Sequence, residues 1–180
     1  MTRTPRVRLR LVGLAAALLL FAADCGGSAS GESRTAACGN GQGTAQQVPL
    51  RVLQGSSGAT VALVPVSLDG KGPFAFALDT GAARSVVGRS VLNQLNVKTL
   101  GKTKEPIAGI VGKVRATKVR ITRWRAGEVK LPEPEIVLSI PLADQTGGGG
   151  PQGLLGSDIL SSFGSITVDY QHQMLILCTS

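Results

Sequence analysis

Phe74-Ala75-Phe76-Ala77-Leu78-Asp79-Thr80-Gly81-Ala82 decides how the rest of this chain is read. An apolar run bounded by turn residues predicts a buried strand, and it delivers a carboxylate, a hydroxyl and a glycine into a tight turn. An acid that carries chemistry needs apolar surroundings to move its pKa, donors to hold it, and a following residue that lets another backbone come close. Asp79, Thr80 and Gly81 supply these in order. The tripeptide by itself also reads as an ordinary turn. The residues beyond Gly81 separate the two readings.

Three blocks stand in sequence. Phe76 to Val87 reads FALDTGAARSVV; Pro106-Ile107-Ala108-Gly109-Ile110-Val111-Gly112 is rich in glycine; Gly153-Leu154-Leu155-Gly156-Ser157-Asp158-Ile159-Leu160 is an apolar strand, a glycine and a helix start. In this order they resemble the retropepsin-like aspartic proteases, in their bacterial secreted or lipoprotein form. The resemblance implies a mostly β fold, a single-lobe acid-protease barrel with a flap hairpin near 105–116 and one short helix near 157–163. It implies that Asp79 is catalytic, that Thr80 hydrogen-bonds across a dimer, and that Gly81 leaves room for the scissile bond. Gly109, Ile110, Val111 and Gly112 become the flap that closes over a peptide or protein substrate. That segment departs from the family in lacking an aromatic tip. No cofactor is implied.

Aspartic catalysis uses two carboxylates that share a proton, one as base toward water and one as acid toward the carbonyl. The chain contains a single Asp-Thr-Gly. The second aspartate is therefore expected from a second copy, in a two-fold homodimer. The other class of reading is a noncatalytic anchored lipoprotein that uses the same cleft, or its basic face, to bind a peptide or an anionic wall polymer, since a fold does not fix an activity.

With 180 residues and 43% apolar content the chain can bury one core, built from Val, Leu, Ile and Ala because aromatics reach only 3%. The net charge of +8 is misleading. Arg3, Arg6, Arg8 and Arg10 precede the apolar run at residues 11–23 and belong to a targeting segment; from Cys25 onward there are 15 basic and 10 acidic residues. An excess this mild behind an export signal argues against a nucleic-acid partner. The 13-residue apolar run is shorter than the ~20 residues a bilayer requires, and it matches a signal-peptide core.

Residues 1–24 are thus expected to be a signal peptide. Ala22-Ala23-Asp24-Cys25-Gly26 resembles a lipobox, with Cys25 the lipidated residue and a membrane anchor as the result. Asp24 departs from that pattern, where a small uncharged residue stands; the alternative is plain secretion with cleavage near Ala29 or Ala37. Residues 25–47 are small and polar and read as a flexible tether, with a reach of roughly 25 Å. The folded domain is expected over 48–180.

Asp69-Gly70 is a hairpin signal, which makes Asp69 a turn residue. Lys98 to Lys130 holds ten basic residues against Glu105 and Glu128. Alternation through Val114-Arg115-Ala116 and Lys118-Val119-Arg120-Ile121, slipping at Thr117, suggests a bulged hairpin with one wet basic face. That face is either simply solvated or attracted to anionic lipid or wall polymer. Trp124 reads as a packed edge residue. Ser157 is the expected N-cap of the short helix, with Asp158 in its first turn. Asp158 is the strongest rival acid. Residues 165–170 and 173–178 read as a closing hairpin.

Cys25 is lipidated or removed on either export route, which leaves Cys38 and Cys178 to join in an oxidising compartment. His172 is the single histidine and has no partner at metal-ligand spacing, so no metal site is expected. The chain lacks a Gly-x-Ser-x-Gly elbow, an HExxH helix and a phosphate-binding glycine loop.

Overall fold

Strands dominate the computed structural model, which describes Cys38 and residues 43–55, 58–103, 107–109, 112–142 and 149–179. Ahead of the Asp79 turn come β1 (Thr44–Pro49), β2 (Arg51–Gln54), β3 (Thr60–Leu68) and β4 (Lys71–Leu78). After it come β5 (Val86–Gly88), α1 (Arg89–Leu92), β6 (Thr99–Lys102), β7 (Ile107–Gly109), β8 (Gly112–Val114) and β9 (Thr117–Val119). The chain continues through β10 (Trp124–Ala126), β11 (Val129–Lys130), β12 (Val137–Ile140), β13 (Gly153–Leu155), α2 (Ser157–Leu160), β14 (Ser165–Asp169) and β15 (Met174–Thr179). The described residues belong to one unit, Arg34–Ser180. The signal peptide, Cys25, most of the tether, and Ile110 and Val111 of the flap lie outside the described residues.

Asp69 and Gly70 both take positive φ, 51° and 81°. This is the two-residue turn whose twist matches a hairpin and which Asp-Gly favours. It folds β3 onto β4 with Leu63 opposite Ala77 and Val64 opposite Phe76. Period-two alternation then sorts the side chains: Ala62, Val64, Val66 and Leu68 of β3 enter the main core with Phe74 and Phe76 of β4. Val87, Val119, Val137, Leu155 and Ile159 complete it from later elements. Trp124, expected at an edge, is fully buried instead. Its ring stands edge-on to Phe76 with centroids 5.9 Å apart, and its Nε1–H donates to the Ile121 carbonyl at 3.0 Å, which satisfies the one polar atom.

Among the described residues the large sheet runs β11-β10-β3-β4-β13-β5-β12-β9-β6, with β2 also paired to β3. The hydrogen-bonded path is open at β11 and β6, so the mostly β lobe does not close as a ring. A separate sheet, β1-β15-β14, holds the two ends of the domain. The tether was expected to run to residue 47, but β1 starts at Thr44 and pairs with β15 from Thr44 opposite Thr179 to Pro49 opposite Met174. The physical reason is that ladder bonds are made by the backbone, so Ala45, Gln46 and Gln47 are ordered without any large apolar side chain.

The basic stretch also differs from its expected form. Val114 and Lys118 do not lie on opposite arms of a hairpin; β8 and β9 are consecutive parts of one arm. β9 pairs with β6 across a register shift, Thr103 N–H donates to the Ala116 carbonyl at 2.9 Å, and β8 pairs with β7 with Gly109 opposite Gly112. Among the described residues β6 and β7 thus pair with β9 and β8 respectively, with the described part of the expected flap in the β7–β8 pair.

Cys38 and Cys178 are bonded, closing a loop across a sequence separation of 140. Replacing both by Ser should lower the unfolding free energy by about 2 to 4 kcal/mol, mainly by releasing the unfolded chain. Urea denaturation of the domain with and without the pair checks this; an unchanged midpoint would contradict it.

Candidate active site

β4 and β13 run parallel, with Ala77 opposite Leu154 and Leu78 opposite Leu155. The pairing carries past the strand end, where Asp79 N–H donates to the Leu155 carbonyl at 3.0 Å. There the chain turns. Asp79 Oδ1 accepts from Gly81 N–H at 3.0 Å and from Ala82 N–H at 3.1 Å, a side-chain turn of the kind Asp readily makes. One carboxylate oxygen is therefore fixed, and Oδ2 has no partner among the described residues. A methyl group added at Gly81 would meet only Asp79 Oδ1, at 3.4 Å. The space over Gly81 is open. Thr80 is exposed, and its hydroxyl has no partner among the described residues.

The turn is clasped from behind by the start of α2. Ser85, fully buried, donates its N–H to both oxygens of Asp158 at 2.9 Å and its hydroxyl to Oδ1 at 2.7 Å. The same hydroxyl accepts from Gly156 N–H at 3.0 Å. Ser157 donates its N–H to the Ala82 carbonyl at 2.8 Å and its hydroxyl to the same atom at 3.1 Å. Gly156 is required by contact, because a Cβ there would stand 2.7 Å from the Arg84 carbonyl carbon and 2.8 Å from the Ala82 oxygen. Ser157 is thus not the N-cap. That position belongs to Gly156, with no side-chain cap bond, since the serine hydroxyl is occupied by Ala82.

Asp158, the rival acid, holds the loop rather than merely favouring the helix start. Ser85 was missed in the sequence. Its signal was a small polar residue set just ahead of Val86 and Val87, where burial demands a partner.

The remaining described aspartates are also engaged. Asp69 accepts from the Thr122 hydroxyl at 2.7 Å and pairs with Arg123. Asp169 accepts from His172 N–H at 2.8 Å and contacts His172 Nδ1 at 2.7 Å; these bonds, the backbone one foremost, hold its carboxyl below the ordinary value. Of the expected site residues, Asp79, Thr80 and Gly81 share one turn, and Gly109 and Gly112 face each other across the β7–β8 hairpin. A shallow concavity of about 270 Å³ lies elsewhere, against Pro49, Leu50, Pro65 and Phe74, and no carboxylate lines it.

The Asp-Thr-Gly turn thus stands at a strand end, braced by a parallel strand and a short helix. The chain matches the family model described as "Aspartyl protease" over residues 64–159, a span from the middle of β3 into α2. It belongs to the aspartyl protease family. Among solved structures it is similar to a retropepsin-like aspartic protease from Rickettsia conorii, at 14% identity and a TM-score of 0.49, covering 77% of this chain and 94% of that one. No curated protein matches.

Ser85→Ala removes the hydroxyl from Asp158 and the acceptor from Gly156. We expect a loss of about 1 to 3 kcal/mol in stability, the range for a buried partner left unsatisfied. Urea denaturation measures it, and an unchanged midpoint would show that the clasp contributes little.

Proposed function

We propose that the chain is an extracytoplasmic aspartic endopeptidase whose water is activated by Asp79 and the Asp79 of a second copy. One observation carries the reading. Of the four described aspartates, Asp158, Asp69 and Asp169 are each bonded to another residue's side chain, whereas Asp79 accepts only from backbone N–H groups of its own turn and stands beside the open space over Gly81. A single carboxylate cannot be both base and acid in one step. The dyad requires a symmetry mate.

In the proposed reaction one Asp79, ionised, takes a proton from water as the water oxygen attacks the scissile carbonyl carbon. The other Asp79, protonated, gives its proton to the carbonyl oxygen. The tetrahedral diol then collapses: the C–N bond breaks, the nitrogen receives a proton from one aspartate, and a diol hydroxyl returns its proton to the other. Thr80, exposed and without an intrachain partner among the described residues, is assigned to bonding between the two turns. Gly81 leaves the substrate backbone room, and Gly109 to Gly112 form the flap.

The export signal supports an extracytoplasmic site, and the joined Cys38 and Cys178 are consistent with an oxidising compartment. We assign Cys25 as the lipid-bearing residue that ties the protein to the outer face of the cytoplasmic membrane.

Asp79→Asn should keep the fold and abolish cleavage of a mixed peptide library, and wild-type activity should fall faster than linearly on dilution below the dimer dissociation constant. Turnover by Asp79→Asn equal to wild type would remove the assignment. For the anchor, Cys25→Ser should prevent membrane partitioning of the exported protein. A wild-type protein recovered entirely soluble, starting beyond Cys25, would mean that Asp24 spoils the lipobox.

A further inference from the structure

One N–H serves two acceptors in the Asp79 turn. Ala82 N–H donates to Asp79 Oδ1 at 3.1 Å and to the Asp79 carbonyl at 3.2 Å, a three-centre bond whose division between carboxylate and backbone depends on how Ala82 is oriented. The other donor to Oδ1 is Gly81 N–H, carried by an exposed residue with open space around it. That bond alone leaves the carboxylate a hinge to turn about. Ala82 is the second point of support, and it orients Asp79 only as well as Ala82 is itself held.

Ser157 does the holding. It donates its N–H to the Ala82 carbonyl at 2.8 Å and its hydroxyl to the same oxygen at 3.1 Å, so two donors from the start of α2 converge on the residue whose N–H reaches the carboxylate. The path from α2 to Asp79 is two hydrogen bonds long. The Ser85–Asp158 clasp acts further along the loop, at the entry to β5. Serine near a helix start ordinarily bonds to its own local backbone; this hydroxyl reaches a carbonyl 75 residues away in sequence. The bland account is that it adds a second bond to an acceptor already satisfied by the N–H. A carbonyl oxygen has two lone pairs, however, and filling both sets its direction where one donor leaves it able to rotate.

We propose that Ser157 is a positioning residue for the reaction: its hydroxyl, acting through Ala82, holds Asp79 in the orientation that proton transfer requires. This rests on the peptidase reading of Asp79 and adds to that site a residue that works through its neighbour. Reactivity depends steeply on the alignment of the reacting groups. Removing the hydroxyl leaves the Ala82 carbonyl its N–H donor, so no buried group is orphaned and the effect falls on the reaction more than on the fold.

With a peptide that wild type cleaves, assayed well above the dimer dissociation constant, Ser157→Ala should lower kcat about 2- to 10-fold, the range of one neutral hydrogen bond, and leave KM unchanged. Ser157→Thr keeps the hydroxyl and should restore kcat, with melting temperatures confirming that both variants fold. A purely structural role would move the melting temperature and leave kcat of the folded dimer alone. Unchanged kcat in Ser157→Ala, a change confined to KM, or no recovery in a folded Ser157→Thr overturns the proposal. Amide hydrogen exchange followed by NMR needs no turnover. Ala82 N–H should exchange faster in Ser157→Ala and return toward wild type in Ser157→Thr, while the fully buried Val87 keeps its rate. If wild type cleaves nothing yet the Ala82 rates follow this pattern, the peptidase reading falls and the hold on Asp79 stands. An Ala82 rate unchanged by Ser157→Ala overturns the hold whatever happens to turnover.

Discussion

Bonds between Ser85 and Asp158, two residues 73 apart in sequence, hold the rest of the site in place. A fully buried serine sends both its N–H and its hydroxyl to one carboxylate, and its hydroxyl takes the Gly156 N–H in return. Hydrogen bonds to a charged group contribute about 1.5 to 3 kcal/mol each, and leaving such a group unpaired costs more than the bond contributes. The consequence is geometric. The loop from Asp79 to Ser85 is held at one end by the β4–β13 pairing and at the other by the clasp, so its free side presents Asp79, Thr80 and Gly81 in fixed positions. Fixed polar groups are what an active site requires if the protein is not to reorganise during the reaction.

The same constraint explains where glycine appears. Gly153 allows Phe76 to lie flat against β13, since a Cβ there would fall 2.3 Å from the ring. Gly156 lets the Ala82 to Arg84 backbone approach the helix start. Core packing and the Asp79 turn are thus joined through one strand: β13 supports Phe76 in the core on one face and places Leu154 beside Ala77 on the other.

Much of this was legible in the sequence, for physical reasons that differ by element. Asp69-Gly70 announced its turn because few pairs adopt positive φ so readily, and the strand into Asp79 was marked by its apolar run. Thr44 to Gln47 could not be read as a strand, because backbone pairing leaves no mark in side-chain composition. The basic stretch was assigned its alternation correctly but not its partners, since β8 and β9 pair with strands on the far arm and register is a long-range property. Ser85 and the true role of Asp158 were hidden for the same reason: each is ordinary beside its own neighbours and acquires its role only from the other. The disulfide was legible because the expectation of export set Cys25 aside and left one pair.

The lobe builds its own core yet supplies only one of the two acids that the proposed reaction needs. The core, the clasp and the Cys38–Cys178 bond are all intrachain, while the proposed reaction requires two copies. The most direct measurement mixes wild-type and Asp79→Asn chains in equal amounts and lets them exchange to equilibrium, verified by mass. Random pairing in a two-fold assembly makes about half the dimers mixed and about a quarter wholly wild type. The account predicts that peptidase activity per wild-type chain falls to about half, because a mixed dimer cannot divide the acid and base roles. Full activity per wild-type chain after complete exchange would contradict it and place the second acid within the same chain.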